Sequence, residues 1–141
     1  MKLITKILIA ILIISGLMPV IACIFAAFNQ PMLMEMFHLT SVSTPDLEKT
    51  IVILGAAMIP GALMQFLAAG WLLKGKEEGF TLTLWGSFML ISASLYMLIF
   101  FKLHNISDSS LFAIDFGKGI LTMVLALYGQ KNDWYAKNTT A

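Results

Sequence analysis

The chain has 141 residues, 59% of them hydrophobic, with nine basic and eight acidic side chains, and every basic one is lysine. A soluble domain carries about 25% charged residues, and one of this size buries only about two-thirds of the surface that its unfolded chain exposes. So much apolar area with so little charge excludes an ordinary soluble enzyme, a disordered chain and a disulfide scaffold, and a net charge of +1 on scattered lysines excludes a nucleic-acid-binding stripe. What remains is a small integral membrane protein, read as one membrane domain over residues 1–141.

A crossing needs about 20 mainly apolar residues to match a hydrocarbon core of roughly 30 Å. Four stretches meet that requirement, residues 7–28, 50–73, 80–101 and 110–129. Their continuous apolar character, without period-two alternation, predicts helices rather than a barrel. The expected fold is therefore all-α, a four-transmembrane-helix bundle with one short interfacial helix in its first outer connection.

The first span opens after Met1-Lys2 and contains Val20-Ile21-Ala22-Cys23, which resembles a lipoprotein signal and its cleavage site. Ile24-Phe25-Ala26-Ala27-Phe28 stays apolar beyond the cysteine, so the segment is read as an uncleaved helix with Cys23 as an unmodified thiol. A single cysteine allows no internal disulfide. Asn29-Gln30-Pro31 is a helix start, and Pro31 to Leu39 reads as a short helix lying in the interface. Thr44-Pro45-Asp46 is a second start, with Thr44 as N-cap and Pro45 at the first helical position, so the second helix is expected to begin outside the membrane.

That second span is rich in small residues. Ala57 and Gly61 have the small-xxx-small spacing that lets helices approach, and the glycines at 117 and 119 supply small residues in the fourth span, for packing within the bundle or against a second copy. Pro60 cannot donate to the carbonyl of Ala56. Gln65 is expected to hydrogen-bond to a neighbouring helix. Lys74-Gly75-Lys76-Glu77-Glu78-Gly79 is a tight hairpin with glycine at both bends, and Tyr128-Gly129-Gln130-Lys131 closes the last helix with a glycine stop and a cation.

Lysine asymmetry orients the spans. Lys2, Lys6, Lys74, Lys76, Lys131 and Lys137 flank one side, and Lys49 and Lys102 the other. The excess predicts both termini and the 74–79 hairpin in the cytoplasm, in a multi-pass protein of the plasma (inner) membrane. Trp71, Trp85 and Trp134 fall toward the same side, where aromatic anchors belong.

The residues that can carry chemistry are few. Asp115 and Lys118 lie inside the fourth span, three residues apart on one face. Counted from residue 110 they are roughly 8 and 12 Å deep, where a charge is expensive and should face the interior, water or a partner. Ser94 and Tyr96 in the third span lie roughly 8–11 Å from its outer end, with Cys23 and the freed carbonyl of Ala56 at similar depth. Asp115, Lys118, Tyr96 and Ser94 are accordingly the candidate ligand-binding residues of an outward-facing polar pocket. The bland counterpart is a self-neutralising pair, or a lysine that snorkels outward.

Met32, Met34 and Met36 with His38 resemble a methionine-rich copper(I) site. Alternate positions do not share one helical face, however, so they read as apolar anchors and no metal or cofactor is expected. His38 and His104 read as interfacial polar residues. The chain has no CxxC, no HExxH and no glycine-rich phosphate cradle, so no catalytic residue is assigned and an enzyme is the less favoured class. The leading expectation is a non-catalytic accessory or assembly subunit. The alternative is a binder or carrier of a small molecule or proton. The expected partners are the lipid bilayer and another membrane protein or a second copy, with no nucleic acid.

Leu54-Gly55 through Pro60-Gly61-Ala62-Leu63, then Gln65, then Trp71-Leu72-Leu73-Lys74-Gly75-Lys76, resembles the second helix and inner turn of the DoxX-like family of small bacterial membrane proteins. The single acidic residue near the start of the last helix, Asp115, is similar as well. The resemblance covers the last two-thirds of the chain. It implies four helices with short cytoplasmic ends. That family has no single activity, some members being associated with membrane redox complexes, so the resemblance assigns no catalytic residue. Small multidrug transporters fit less well, since they rely on an acidic residue in the first span. Membrane glutathione-metabolising enzymes carry arginine around their second helix, and this chain has none.

Overall fold

The computed structural model describes residues 2–29, 56–105 and 110–134, with positions 31, 32, 35, 49 and 53 besides. These residues form four helices, α1 (Leu3–Phe28), α2 (Ile59–Leu73), α3 (Glu78–Leu103) and α4 (Ser110–Gly129), and a π-helical turn over Gln130–Trp134. α1, α3 and α4 are long and apolar enough to cross a membrane, and α2 is a shorter apolar helix of 15 residues. All four carry apolar side chains on their outward faces too, among them Ile14, Leu67, Phe88 and Val124, as helices surrounded by lipid do.

Local chemistry sets the ends. The N–H of Asn29 reaches the carbonyl of Phe25 at 2.7 Å to close α1. Its Oδ1 then accepts from the N–H of Met32 at 3.3 Å, so the expected start at Asn29–Pro31 forms, with Pro31, Met32 and Glu35 helical. Met34, Met36, His38, Thr44 and Pro45 lie outside the described residues. α2 ends in a Schellman motif: the N–H of Lys76 reaches the carbonyl of Trp71 (2.9 Å), and that of Gly75 reaches Leu72 (3.0 Å). Gly75 holds φ at +71°, the left-handed conformation that glycine takes without a Cβ clash. Gly79 is not a bend but part of the first turn of α3, tucked so close under Leu72 that a Cβ would lie 2.9 Å from the Leu72 nitrogen.

The second expected span, 50–73, is not one helix. Lys49, Ile53 and Ala56 are helical, Ala57 and Met58 form a turn, and α2 starts afresh at Ile59 with Pro60 in its first turn. Proline explains the break. It has no N–H for the carbonyl four residues back, its ring crowds the preceding turn, and it suits the first positions of a new helix. α2 is left about 22 Å long, against about 39 Å for α3.

Inward stripes follow the helical spacing of three and four residues. On α1 the stripe is Thr5, Leu8, Ile9, Leu12, Ser15, Gly16 and Pro19; on α2 it is Met58, Gly61, Ala62, Gln65, Ala68, Ala69 and Leu72. α1 packs on α2, α2 on α3, α3 on α4 and α4 back on α1. Two apolar clusters result. Near the end where α1 begins and α4 finishes, Leu8, Ile9, Leu12, Ala68, Ala69, Leu72, Phe80 and Ala126 draw on all four helices. Toward the far end, Met58, Leu90, Met97, Phe101 and Phe112 come from the cap of α2 and from α3 and α4, with no α1 side chain among the described residues.

Candidate functional site

α4 places the charges. Its inward stripe runs Phe112, Gly119, Thr122, Ala126 and Gly129, and Asp115 falls on the same stripe by its spacing of three and four from Phe112 and Gly119. Lys118, one turn on, brings Nζ to 2.6 Å from Asp115 Oδ1, with side chains 22% (Lys118) and 17% (Asp115) exposed. Each charge thus meets its opposite in a charge-assisted hydrogen bond while staying half-buried.

Three contacts set the antiparallel register of α3 on α4. Phe101 meets Phe112 edge-on at 4.9 Å between centroids. Ser87 and Thr122 join their hydroxyls at 2.7 Å. Phe80 lies against the backbone of Gly129, where a Cβ would come within 2.8 Å of its ring. Ser94 sits one heptad beyond Ser87 and one before Phe101, so this register carries it to the level of Asp115. It is fully buried, and its Oγ has no hydrogen-bond partner among the described residues. Its helical neighbours Leu90, Met97 and Phe101 belong to the far-end cluster that also holds Met58 and Phe112. A hydroxyl left unpaired in such surroundings costs about 1–3 kcal/mol.

The structure therefore brings Asp115, Lys118 and Ser94 to one level and leaves Tyr96 out. Tyr96 is 58% exposed, because two residues of helix turn it roughly 200° away from Ser94. Ala56, whose carbonyl Pro60 frees, is exposed at the helix break. Cys23 lies within α1, and its side chain is outside the described residues. His104 caps α3. A carbonyl can only accept, so its Nδ1–H donates to the Phe100 carbonyl at 3.0 Å, and the ring stacks 4.2 Å from that of Phe100.

Nearer the centre lies a polar layer that the sequence reading did not assemble. Thr122 Oγ1 lies 3.0 Å from the carbonyls of both Lys118 and Gly119, which take its one proton, so Ser87 must be the donor in the Ser87–Thr122 bond. Gln65 and Ser15, each 1% exposed, present Nε2 and Oγ with no partner among the described residues. Gln65 Nε2 thus takes no part in the interhelical bond expected of this side chain. Two signals were available in the sequence. Ser87 and Ser94 are seven residues apart on one stripe, and Pro19 stands four residues after Ser15, whose carbonyl it deprives of a helical donor.

An all-helical membrane protein is the class that these features fit, with three helices long and apolar enough to cross and polar side chains turned inward. Comparison with protein-family models, curated proteins and solved structures returns no match.

Proposed function

We propose that the chain is a multi-pass protein of the plasma (inner) membrane whose non-cytoplasmic half holds a polar pocket for a small polar molecule or a proton, built from Asp115, Lys118 and Ser94. One observation carries this reading: Ser94 presents a fully buried, unpartnered hydroxyl at the level of an intramembrane ion pair. An ionisable group at that depth is by default a candidate functional site, because its charge is expensive to hold in hydrocarbon.

In this reading the helical positions before Ala57 and α2 together make the second of four crossings, with both termini in the cytoplasm. Lys2, Lys6, Lys74, Lys76 and Lys131 support that orientation. So does the likeness of residues 54–76 to the DoxX-like family. A C-terminal reporter active only outside the cytoplasm should stay silent, and a strong signal would reverse the topology.

A second reading, a non-catalytic accessory or assembly subunit, is favoured by the closeness of the ion pair, which satisfies both charges without a ligand. Thiol accessibility separates the two. Ser94→Cys in a Cys23→Ala background should react with a small water-soluble methanethiosulfonate added from outside if the pocket is open to water. No reaction, together with copurification of a stoichiometric membrane partner, would favour the accessory subunit instead.

A further inference from the structure

We propose that Ser15, Gln65, Ser87 and Thr122 form an internal hydration site at the middle of the bundle, taking a water molecule that joins α1 to α2. Each helix contributes one of these polar side chains, and backbone contacts place them at one level. A Cβ on Gly16 would lie 3.3 Å from the Ala62 carbonyl and 3.1 Å from the Phe66 ring, which sets Ser15 beside Gln65. A Cβ on Gly86 would lie 3.2 Å from Gln65 Cγ, which sets Gln65 beside Ser87. Both unpartnered groups sit on inward stripes, sealed from the surface.

The chemistry of the four groups selects the occupant. Gln65 Nε2 has N–H donors to give. Ser15 offers a hydroxyl and a carbonyl that Pro19 deprives of its helical donor. Ser87, having donated to Thr122, keeps acceptor capacity. A water molecule can accept from Gln65 and donate to Ser15, the two or more polar partners that an internal water needs. The close backbone approaches at Gly16 and Gly86 argue against an occupant as large as an organic molecule.

Below the layer, the four-helix cluster around Leu12, Leu72 and Phe80 closes the end where α1 begins and α4 finishes. Above it, Ser94 is the next unpartnered hydroxyl, one heptad along α3. The central site stands on its own observations and survives if the outer pocket proves empty.

The test is nuclear magnetic resonance on ¹⁵N-labelled full-length protein in lipid nanodiscs. The side-chain amide of Gln65 is assigned by its loss in Gln65→Met, which keeps the side-chain volume. A dipolar cross-peak from its Nε2 protons to water is expected, weakened in Ser15→Ala. Cross-peaks from Gln65 to Ser15 with none to water would show a direct side-chain bond and overturn the proposal. So would a water cross-peak indifferent both to Ser15→Ala and to Pro19→Ala, which returns a helical donor to the Ser15 carbonyl, since the water would then not bridge the two helices. Should Ser15→Ala fail to fold, the wild-type spectrum alone decides between a contact with water and a contact with Ser15.

Discussion

Lys118→Ala should destabilise the folded protein by roughly 2–3 kcal/mol. The substitution leaves Asp115 without its partner at 2.6 Å, and a lone charge toward the middle of a membrane helix costs about 2.5–3.5 kcal/mol on insertion scales. The lower part of that range applies, because the two side chains keep 17–22% exposure. Asp115→Ala should cost a similar amount by stranding the ammonium, less whatever Lys118 recovers by snorkelling. Asp115→Asn with Lys118→Gln removes both charges and keeps hydrogen-bonding groups, so it should recover most of the loss. A double-mutant cycle on thermal unfolding in detergent measures the coupling. Strictly additive losses would mean that the pair contributes nothing as a pair. The same double variant bears on function: a bundle that is stable but no longer binds would place the charges in the pocket, and a stable, fully competent one would leave them a packing role.

The second large effect is expected on the same helix, from two glycines that a sequence reading treats alike. Gly119→Ala should cost about 1–3 kcal/mol, the range for overpacking. Its Cβ would lie 2.6 Å from Ile91 Cγ1 and 3.4 Å from the Ser87 carbonyl. Cγ1 is close to the backbone on a branched side chain with few χ1 options, so α3 and α4 must move apart, and the Ser87–Thr122 bond stretches with them. Gly117→Ala meets no atom within 4 Å and should stabilise by up to about 1 kcal/mol through backbone entropy alone. Opposite signs two residues apart would confirm the α3–α4 register. Equal effects would mean that Gly119 is not at the contact.

Composition alone was enough to place this chain among membrane proteins, because a domain with so little charge has nowhere else to put its apolar surface. Hydropathy located three of the helices closely: 7–28, 80–101 and 110–129 against Leu3–Phe28, Glu78–Leu103 and Ser110–Gly129. Such boundaries depend on local properties, the length of an apolar run and the residues that close it. Asn29 and Gly75 act through their own side chain or φ angle and were readable for the same reason.

The break before α2 was half legible. Pro60 announced a missing hydrogen bond, but whether a helix bends through a proline or restarts at it depends on what packs around the turn. α1 runs straight through Pro19, while α2 begins anew at Ile59. The site divides along the same line. Depth is a count of residues, so the sequence could put Asp115, Lys118, Ser94 and Tyr96 at similar levels. Facing is decided by which stripe finds a neighbour. In helices apolar on every side the hydrophobic pattern does not mark the inward face, and only packing turned Ser94 in and Tyr96 out. The central layer of Ser15, Gln65, Ser87 and Thr122 could be assembled only in the folded bundle, where the close approaches at Gly16 and Gly86 bring residues from distant parts of the chain to one height.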